Sequence, residues 1–288
     1  MTASSTAQPP AAMSIDVEDW FQVENLKSVV DASTWDERES RVERNTDRML
    51  ELLAHHGITS TCFILGWVAQ RFPELISRIA DAGHEIACHG TNHDLIYTLS
   101  PDAFRDDVKQ CKELLEQQTG KPVIGYRAPS FSITDWAIDI LHELGFTYDS
   151  SAFPTVAHDR YGTLEGMNAS EPIKEIRPGF HEVCVSCLHL GKRGVPWGGG
   201  GYFRMFPYSV FRRGVARILQ GGSPYVFYIH PWEIDPGQPR VRGLKRSHAF
   251  RHSVNLARCE SRWNQLLGDF EWTTMSDLLR RSIAATSG

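Results

Sequence analysis

Short apolar runs recur along this chain, and most are followed by a longer stretch whose apolar positions repeat at helical spacing. The runs in A-M-S-I-D-V-E-D-W-F, T-S-T-C-F-I-L, H-E-I-A-C, P-V-I-G-Y-R-A-P, F-T-Y-D-S-S, K-E-I-R-P and Y-V-F-Y-I-H-P predict strands, the first beginning at about Met13. E-V-C-V-S-C-L-H-L has the same character. Between them, Thr46 is placed to cap a helix through Met49, Leu50, Leu52 and Leu53 that stops at Gly57. V-A-Q-R-F-P-E-L-I-S-R-I-A-D-A-G carries helical spacing through Leu75, Ile76 and Ile79. The clearest helix runs from the cap Ser100 and Pro101 to Gly120, with Phe104, Val108, Cys111, Leu114 and Leu115 on its apolar face. Thr134 is placed to cap a further helix ending at Gly145, and S-V-N-L-A-R-C-E-S-R-W-N-Q-L-L forms an amphipathic helix near the C-terminus. Strands alternating with helices in this way indicate parallel β/α units in one α/β domain.

Two stretches break the rhythm. V-P-W-G-G-G-G-Y-F-R joins four glycines to Trp197, Tyr202 and Phe203, which predicts a mobile flap with aromatic platforms suited to sugar rings. P-G-Q-P-R-V-R-G-L-K-R-S-H-A-F-R-H is strongly basic and reads as a solvated linker. Residues 1–12 are small and polar with Pro9 and Pro10, the pattern of a disordered lead, and the segment after Phe21 through Arg44 reads as a long loop. The expected division is therefore a lead over 1–12, a domain over 13–236, and an extension over 237–288 packed on that domain.

Composition narrows the function classes. A hydrophobic fraction of 41% with 23% charged residues is ordinary for a globular chain. A net charge of -5 gives no footprint for nucleic acid or an anionic membrane. The start of the chain lacks a basic, apolar leader and no run has the length to span a bilayer, so a cytoplasmic protein is expected. The cysteines, Cys62, Cys88, Cys111, Cys184, Cys187 and Cys259, are too sparse for a disulfide framework and read as free thiols.

The candidate chemistry sits where the apolar runs end. H-E-I-A-C-H-G-T-N-H places His89 and His93 four residues apart, on one face of a helical turn or converging from a tight loop, so one metal ion can take both. S-I-D-V-E-D-W offers Asp16, Glu18 and Asp19, G-Y-R-A-P-S offers Arg127, and V-F-Y-I-H-P-W offers His230. A barrel of parallel strands gathers such strand ends on one rim. A catalytic zinc-like site needs about three protein ligands, so one carboxylate from the acidic stretch completes the set. In extended chain Asp16 and Glu18 share a face while Asp19 points away, although Asp19 remains an alternative ligand because the strand ends close by.

These five stretches, in this order from about Ser14 to about Trp232, resemble the polysaccharide deacetylase family, which shares a domain with the rhizobial chitooligosaccharide deacetylases. The resemblance is greatest to the allantoinase-like and peptidoglycan deacetylase-like branch associated with exopolysaccharide and exosortase genes. It implies a distorted (β/α) barrel of about seven parallel strands with a C-terminal helical extension. It also implies a divalent metal, zinc by ligand type with cobalt or nickel able to substitute, and removal of N-acetyl groups from an amino-sugar polysaccharide or its precursor. The family places two adjacent aspartates where this chain has D-V-E-D, so by resemblance to the branch Asp16 is assigned as base and Glu18 as ligand. Arg127 would hold Asp16, His230 would serve as acid with Asp149 as a partner for its ring, and a backbone N–H after Pro129 would meet the oxyanion. Ser130, Phe131, Trp197, Tyr202 and Trp232 are the further candidates for substrate contact. The competing readings are an allantoinase-like hydrolase of a small amide and a non-catalytic glycan-binding relative.

Overall fold

A computed structural model describes residues 9–153, 161, 162, 164–167, 171–191 and 193–286. Residues 1–8 of the expected lead lie outside these, whereas order begins slightly earlier than expected, with strand β1 at Ala11–Val17. The chain continues through α1 (Val42–His55), β2 (Thr61–Ile64), α2 (Gly66–Arg71), α3 (Pro73–Asp81), β3 (Glu85–Cys88), α4 (Pro101–Thr119), β4 (Gly125–Tyr126), α5 (Asp135–Glu143) and β5 (Tyr148–Asp149). The second half adds β6 (Ile173–Arg177), β7 (Phe180–Val183), β8 (Cys187–Leu190), β9 (Arg193–Pro196), α6 (Gly200–Met205), α7 (Tyr208–Gln220) and β10 (Tyr225–Ile229). It ends with α8 (Arg246–Ser253), α9 (Leu256–Asp269), β11 (Trp272–Thr273) and α10 (Met275–Thr286).

The main sheet runs β10-β1-β2-β3-β4-β5-β7-β6, parallel up to β7, with β6 antiparallel at the edge and β11 pairing with β1. It curls into a half-barrel. Irregular chain fills the gap between its ends: Ser186 Oγ accepts from the Val226 amide at 2.8 Å, and Gly198 O accepts from the Tyr228 amide at 2.7 Å. Pleating sends alternate residues inward, so Ala12, Phe63, Ala87, Tyr148, Val183 and Val226 form an interior layer that Met275, Leu278 and Leu279 of α10 join. The other strand faces pack under the helices in the large cluster that includes Ile15, Ile64, Phe104, Leu115, Phe227 and Trp263. Next inward on β1 after Ala12 come Ser14 and Asp16, both buried, and Asp16 pairs in register with Phe63. Catalytic candidates therefore sit at the C-terminal ends of the strands.

Local expectations met different fates. Ser100 caps α4 by accepting the Ala103 amide at 3.2 Å, and Gly120 ends it at φ 65. Thr46 does not cap α1: the helix starts earlier, at Val42, and Thr46 is buried within it. Asp19 does that work instead, its Oδ2 accepting from the amides of Arg41 (2.8 Å) and Val42 (3.1 Å). Thr134 occupies the N-cap position of α5 without a side-chain capping bond. The helix after β2 is split, because Phe72 leaves helical geometry and Pro73 cannot donate an amide, so a new helix starts there. The stretch after Phe21 through Arg44 carries short 3₁₀ helices at Glu24–Leu26 and Ala32–Glu37, with Trp35 buried against Phe21 and Trp67.

The Gly-rich stretch is not a loose flap. Cβ atoms built on Gly198, Gly199 and Gly200 would lie 2.5 Å from Val226 O, 2.7 Å from Tyr228 Oη and 2.2 Å from Glu233 Oε1, so these glycines are required for close approach. Trp197 is buried, stacked on Phe206 and Phe211, and donates its indole N–H to Phe211 O at 2.9 Å. The basic stretch is only partly linker, since its last residues form α8 against the Glu24–Leu26 turn.

Candidate active site

At the strand ends lies a cavity of about 290 Å³ lined by Asp16, Glu18, His89, His93, His230, Glu233, Arg204 and Arg251, with Ser130, Phe131, Tyr202, Tyr228 and Trp232 among its apolar and polar walls. β1 ends with Asp16 just inside it and Glu18 in the turn beyond, β3 leads into His89, and β10 into His230. Asp16, Glu18, His89 and His93 are all almost fully buried.

Ligand atoms of Glu18, His89 and His93 lie within 4.8 Å of one another. The His89 Nδ1 is 2.8 Å from Arg127 O, a contact in which the ring donates and leaves Nε2 for the cavity. Glu18 Oε2 lies 2.7 Å from His93 Nε2, yet it makes no well-directed hydrogen bond there. Two acceptors facing one another across a buried point suit two ligands of one cation. One carboxylate oxygen and two imidazole nitrogens are also a donor set that zinc-type ions take. Backbone strain accompanies this arrangement, with His93 at φ 56 and, in the turn after β4, Ser130 and Phe131 at φ 52 and 59, whereas φ 74 at Gly90 is one that glycine adopts freely.

Asp19 is not in this set. Its Oδ1 accepts from the Trp20 amide (2.8 Å) and its Oδ2 from Ser40 Oγ (2.6 Å) as well as the two α1 amides. Burial opposes the Glu18 carboxylate, but His93, His230 and His89 outweigh it and hold its pKa at about 2. Burial lowers His89 to about 4, while His93, despite burial, is raised by Glu18.

Arg127, fully buried, donates from Nη1 to Asp16 Oδ1 at 2.6 Å and to Ser14 Oγ at 2.9 Å. Its Nε and Nη2 are fixed by Ser150 O and Ser150 Oγ, both at 3.0 Å, and its guanidinium lies over the Phe63 ring. Asp16 is thereby oriented by a cation that has no freedom to move. His230 faces both carboxylates from the other wall, its Nε2 3.2 Å from Glu18 Oε1 and 3.9 Å from Asp16 Oδ2. Burial works against its charged form, but Glu18, Glu233 and Asp16 together raise its pKa to about 9.

The partner of the His230 ring is Glu233 and not Asp149. Nδ1 donates to Glu233 Oε1 at 2.8 Å, in the turn after β10, and Glu233 Oε2 accepts from Arg204 Nε at 2.7 Å. Arg204 is buried, with Nη1 and Nη2 donating to the carbonyls of His252, Val254 and Arg251. Burial disfavours the Glu233 carboxylate, but Arg204 and His230 keep its pKa below the usual range. Asp149 sits below the cavity, bound to Ser151 Oγ at 2.5 Å and paired with Glu182, whose Oε1 accepts the Ser151 and Ala152 amides. Arg204 and Glu233 were missed in the sequence. The signal was present in the arginine that ends the glycine run and the acid three places after His230.

Among the expected substrate contacts, Ser130, Phe131, Tyr202 and Trp232 line the cavity, whereas Pro129 is buried behind it and Trp197 belongs to the core. Trp232 is sandwiched between His230 and His252 in stacked geometry.

Residues 25–148 match the family described as polysaccharide deacetylase, and residues 150–280 match a domain of unknown function, DUF3473. A peptidoglycan deacetylase-like protein of Gibberella zeae is 39% identical over 106 residues, 36% of this chain and 31% of that protein. A peptidoglycan deacetylase of Helicobacter pylori is 32% identical over 104 residues, 36% of each chain. The matched stretches thus span about a third of these relatives' own length. Among solved structures, one from Mycobacterium smegmatis assigned provisionally to the polysaccharide deacetylases superposes with a TM-score of 0.61 at 21% identity, over 99% of this chain and 94% of the other. A family 4 carbohydrate esterase pseudoenzyme from Bacillus anthracis superposes at 0.51 with 14% identity, over 94% of this chain and 66% of the other. The latter two likenesses concern the fold. Among the described residues no helix is long and apolar enough to cross a membrane.

Proposed function

From a chain that carries a polysaccharide deacetylase domain continued by a DUF3473 segment, we propose a metal-dependent hydrolase that removes N-acetyl groups from an amino-sugar glycan, in exopolysaccharide or peptidoglycan processing. The observation that carries this reading is the meeting of Asp16, Glu18, His89, His93 and His230 in one cavity, drawn from strands far apart in sequence, with Arg127 bonded to Asp16 from behind the wall. Glu18, His89 and His93 would hold a divalent ion, zinc by donor type with cobalt or nickel as substitutes. When bound, that ion supplies Lewis acidity toward water and toward the acetamide carbonyl.

The chain's own groups then divide the proton work. Asp16 accepts the proton of the attacking water, and Arg127 keeps that carboxylate aimed. His230 delivers a proton to the nitrogen as the C–N bond breaks, releasing acetate and a free amine, while Glu233 fixes the ring so that Nε2 faces the reaction. After Pro129 the amides of Phe131 and Ser132 are already bonded to Ala128 O and Pro129 O, which directs the oxyanion role to Ser130. Phe131, Tyr202 and Trp232 would enclose the acetyl group and sugar.

An allantoinase-like hydrolase would use the same groups on a smaller, enclosed substrate. A second recess, walled by Ser28 and Ser247, adjoins the cavity and shares Glu24, Asn25 and Arg251 with it, which favours a longer ligand. The deciding experiment joins metal analysis of the purified protein to acetate release from acetylated oligosaccharides and exopolysaccharides. One ion per chain, acetate from a glycan, and loss of both in His89→Ala are expected. Stoichiometric metal with no acetate from any glycan would overturn the deacetylase reading and leave the small-amide hydrolase and the binding relative.

A further inference from the structure

The net charge of the chain is -5, yet Arg240, Arg242, Lys245, Arg246 and Arg251 follow one another with no acid between Asp235 and Glu260. All five are exposed, and among the described residues none of their side chains forms an ion pair. A charged run of this kind is most often just solvated. Here two observations give it a direction. First, the run is anchored at the cavity: Arg204, the residue that holds Glu233, also binds the carbonyls of Arg251, His252 and Val254, and His252 stacks on Trp232. Second, Arg251 lines both the cavity and a neighbouring recess that shares Glu24 and Asn25 with it, and whose walls bring Lys27 and His248 from two elements. The recess also holds Glu24, which lies 4.0 Å from Lys27, and Lys27 is 3.7 Å from Asp94. Among the described residues, Arg251 is therefore a cation at this mouth that has no ion pair.

Resting on the deacetylase reading, we propose that the glycan this site selects carries a carboxylate on the sugar next to the acetylated one, and that Arg251 at the mouth of the recess is the residue that recognises it. A planar guanidinium at the wall of a cleft is suited to a carboxylate, which it can bind through two donors. The more distant Arg240, Arg242, Lys245 and Arg246 would attract a polyanionic chain at longer range, in a manner that salt screens. The carboxylate has two sources in glycans, a uronic acid ring and the lactyl ether of muramic acid.

The test is a binding titration with the metal-loaded protein at low salt against two matched pairs. One pair is a hyaluronan hexasaccharide and its carboxyl-reduced form. The other is a peptide-free tetrasaccharide of alternating N-acetylglucosamine and N-acetylmuramic acid and its carboxyl-reduced form. The acidic member of one pair should bind on the order of tenfold more tightly than its reduced counterpart, and that pair identifies the source. The preference should shrink at high salt and fall to near unity in Arg251→Gln, while Arg251→Lys retains part of it. Equal affinities within both pairs, or a preference that Arg251→Gln leaves intact, would overturn the proposal. Acetate release is scored in the same samples. Preference without acetate keeps the recognition site and sinks the deacetylase reading, and acetate without preference does the reverse.

Discussion

Arg204→Met tests how much the molecule relies on the buried pair behind His230. Arg204 and Glu233 are 1% exposed and 2.7 Å apart, so removing the guanidinium strands a buried carboxylate that keeps only its bonds to His230. Breaking one side of such a pair costs about 3–5 kcal/mol. The lost bonds to the carbonyls of Arg251, His252 and Val254 act in the same direction. For a domain of this size each kcal/mol lowers Tm by roughly 2–4 °C, so a fall of ~6–20 °C is expected. Arg204→Met combined with Glu233→Gln removes the stranded charge, and the double variant should be more stable than the sum of the single losses by ~1.5–3 kcal/mol. The assay is urea unfolding followed by tryptophan fluorescence, with chelator in every sample to exclude stabilisation by bound metal. Single and double variants that add within ~0.5 kcal/mol, or a single variant that melts with the wild type, would refute the reasoning.

Glu18→Gln should weaken metal binding in a chelator competition, whereas Asp19→Asn should keep the metal and lose about 0.5–2 kcal/mol of stability, as expected for a helix cap; the reverse pattern would exchange their roles. His230→Ala should retain metal and lose on the order of a hundredfold in acetate release from an amide, with a much smaller loss on an aryl acetate whose leaving group needs no proton; equal losses would exclude the acid role. Gly200→Ala drives a methyl to within 2.2 Å of Glu233 Oε1, so turnover should fall with the metal retained. Wild-type turnover in that variant would show that the Glu233 position is not critical.

How much of this was legible depended on how local the cause was. Helix α4 was fully readable because Ser100, Pro101 and Gly120 act on their own turns. The positions of Asp16, His89, Arg127 and His230 were readable because each follows an apolar run, and parallel strands bring their ends together whatever the loops do. The capping of α1 was misread because its true cap, Asp19, lies across a long excursion from Val42. Asp149 was taken for the His230 partner because an acid at a strand end looked equivalent, but the turn after β10 folds Glu233 back onto the ring. The four glycines were read as freedom to move, when their lack of a side chain lets chain pass against β10 and Glu233. Sequence alone does not distinguish a glycine needed for motion from one needed for contact.

The seam that sequence comparison draws near residue 149 is not a seam in the molecule. Glu18, His89, His93 and Arg127 precede it, while His230, Glu233, Arg204 and Arg251 follow it, and β1 has β10 from one side as its neighbour and β2 from the other. Divided there, the first part would expose an unpaired strand edge on β1 and the second would carry His230 without the Glu18 and Asp16 carboxylates it faces. The segment that carries only a placeholder description supplies half of the cavity wall.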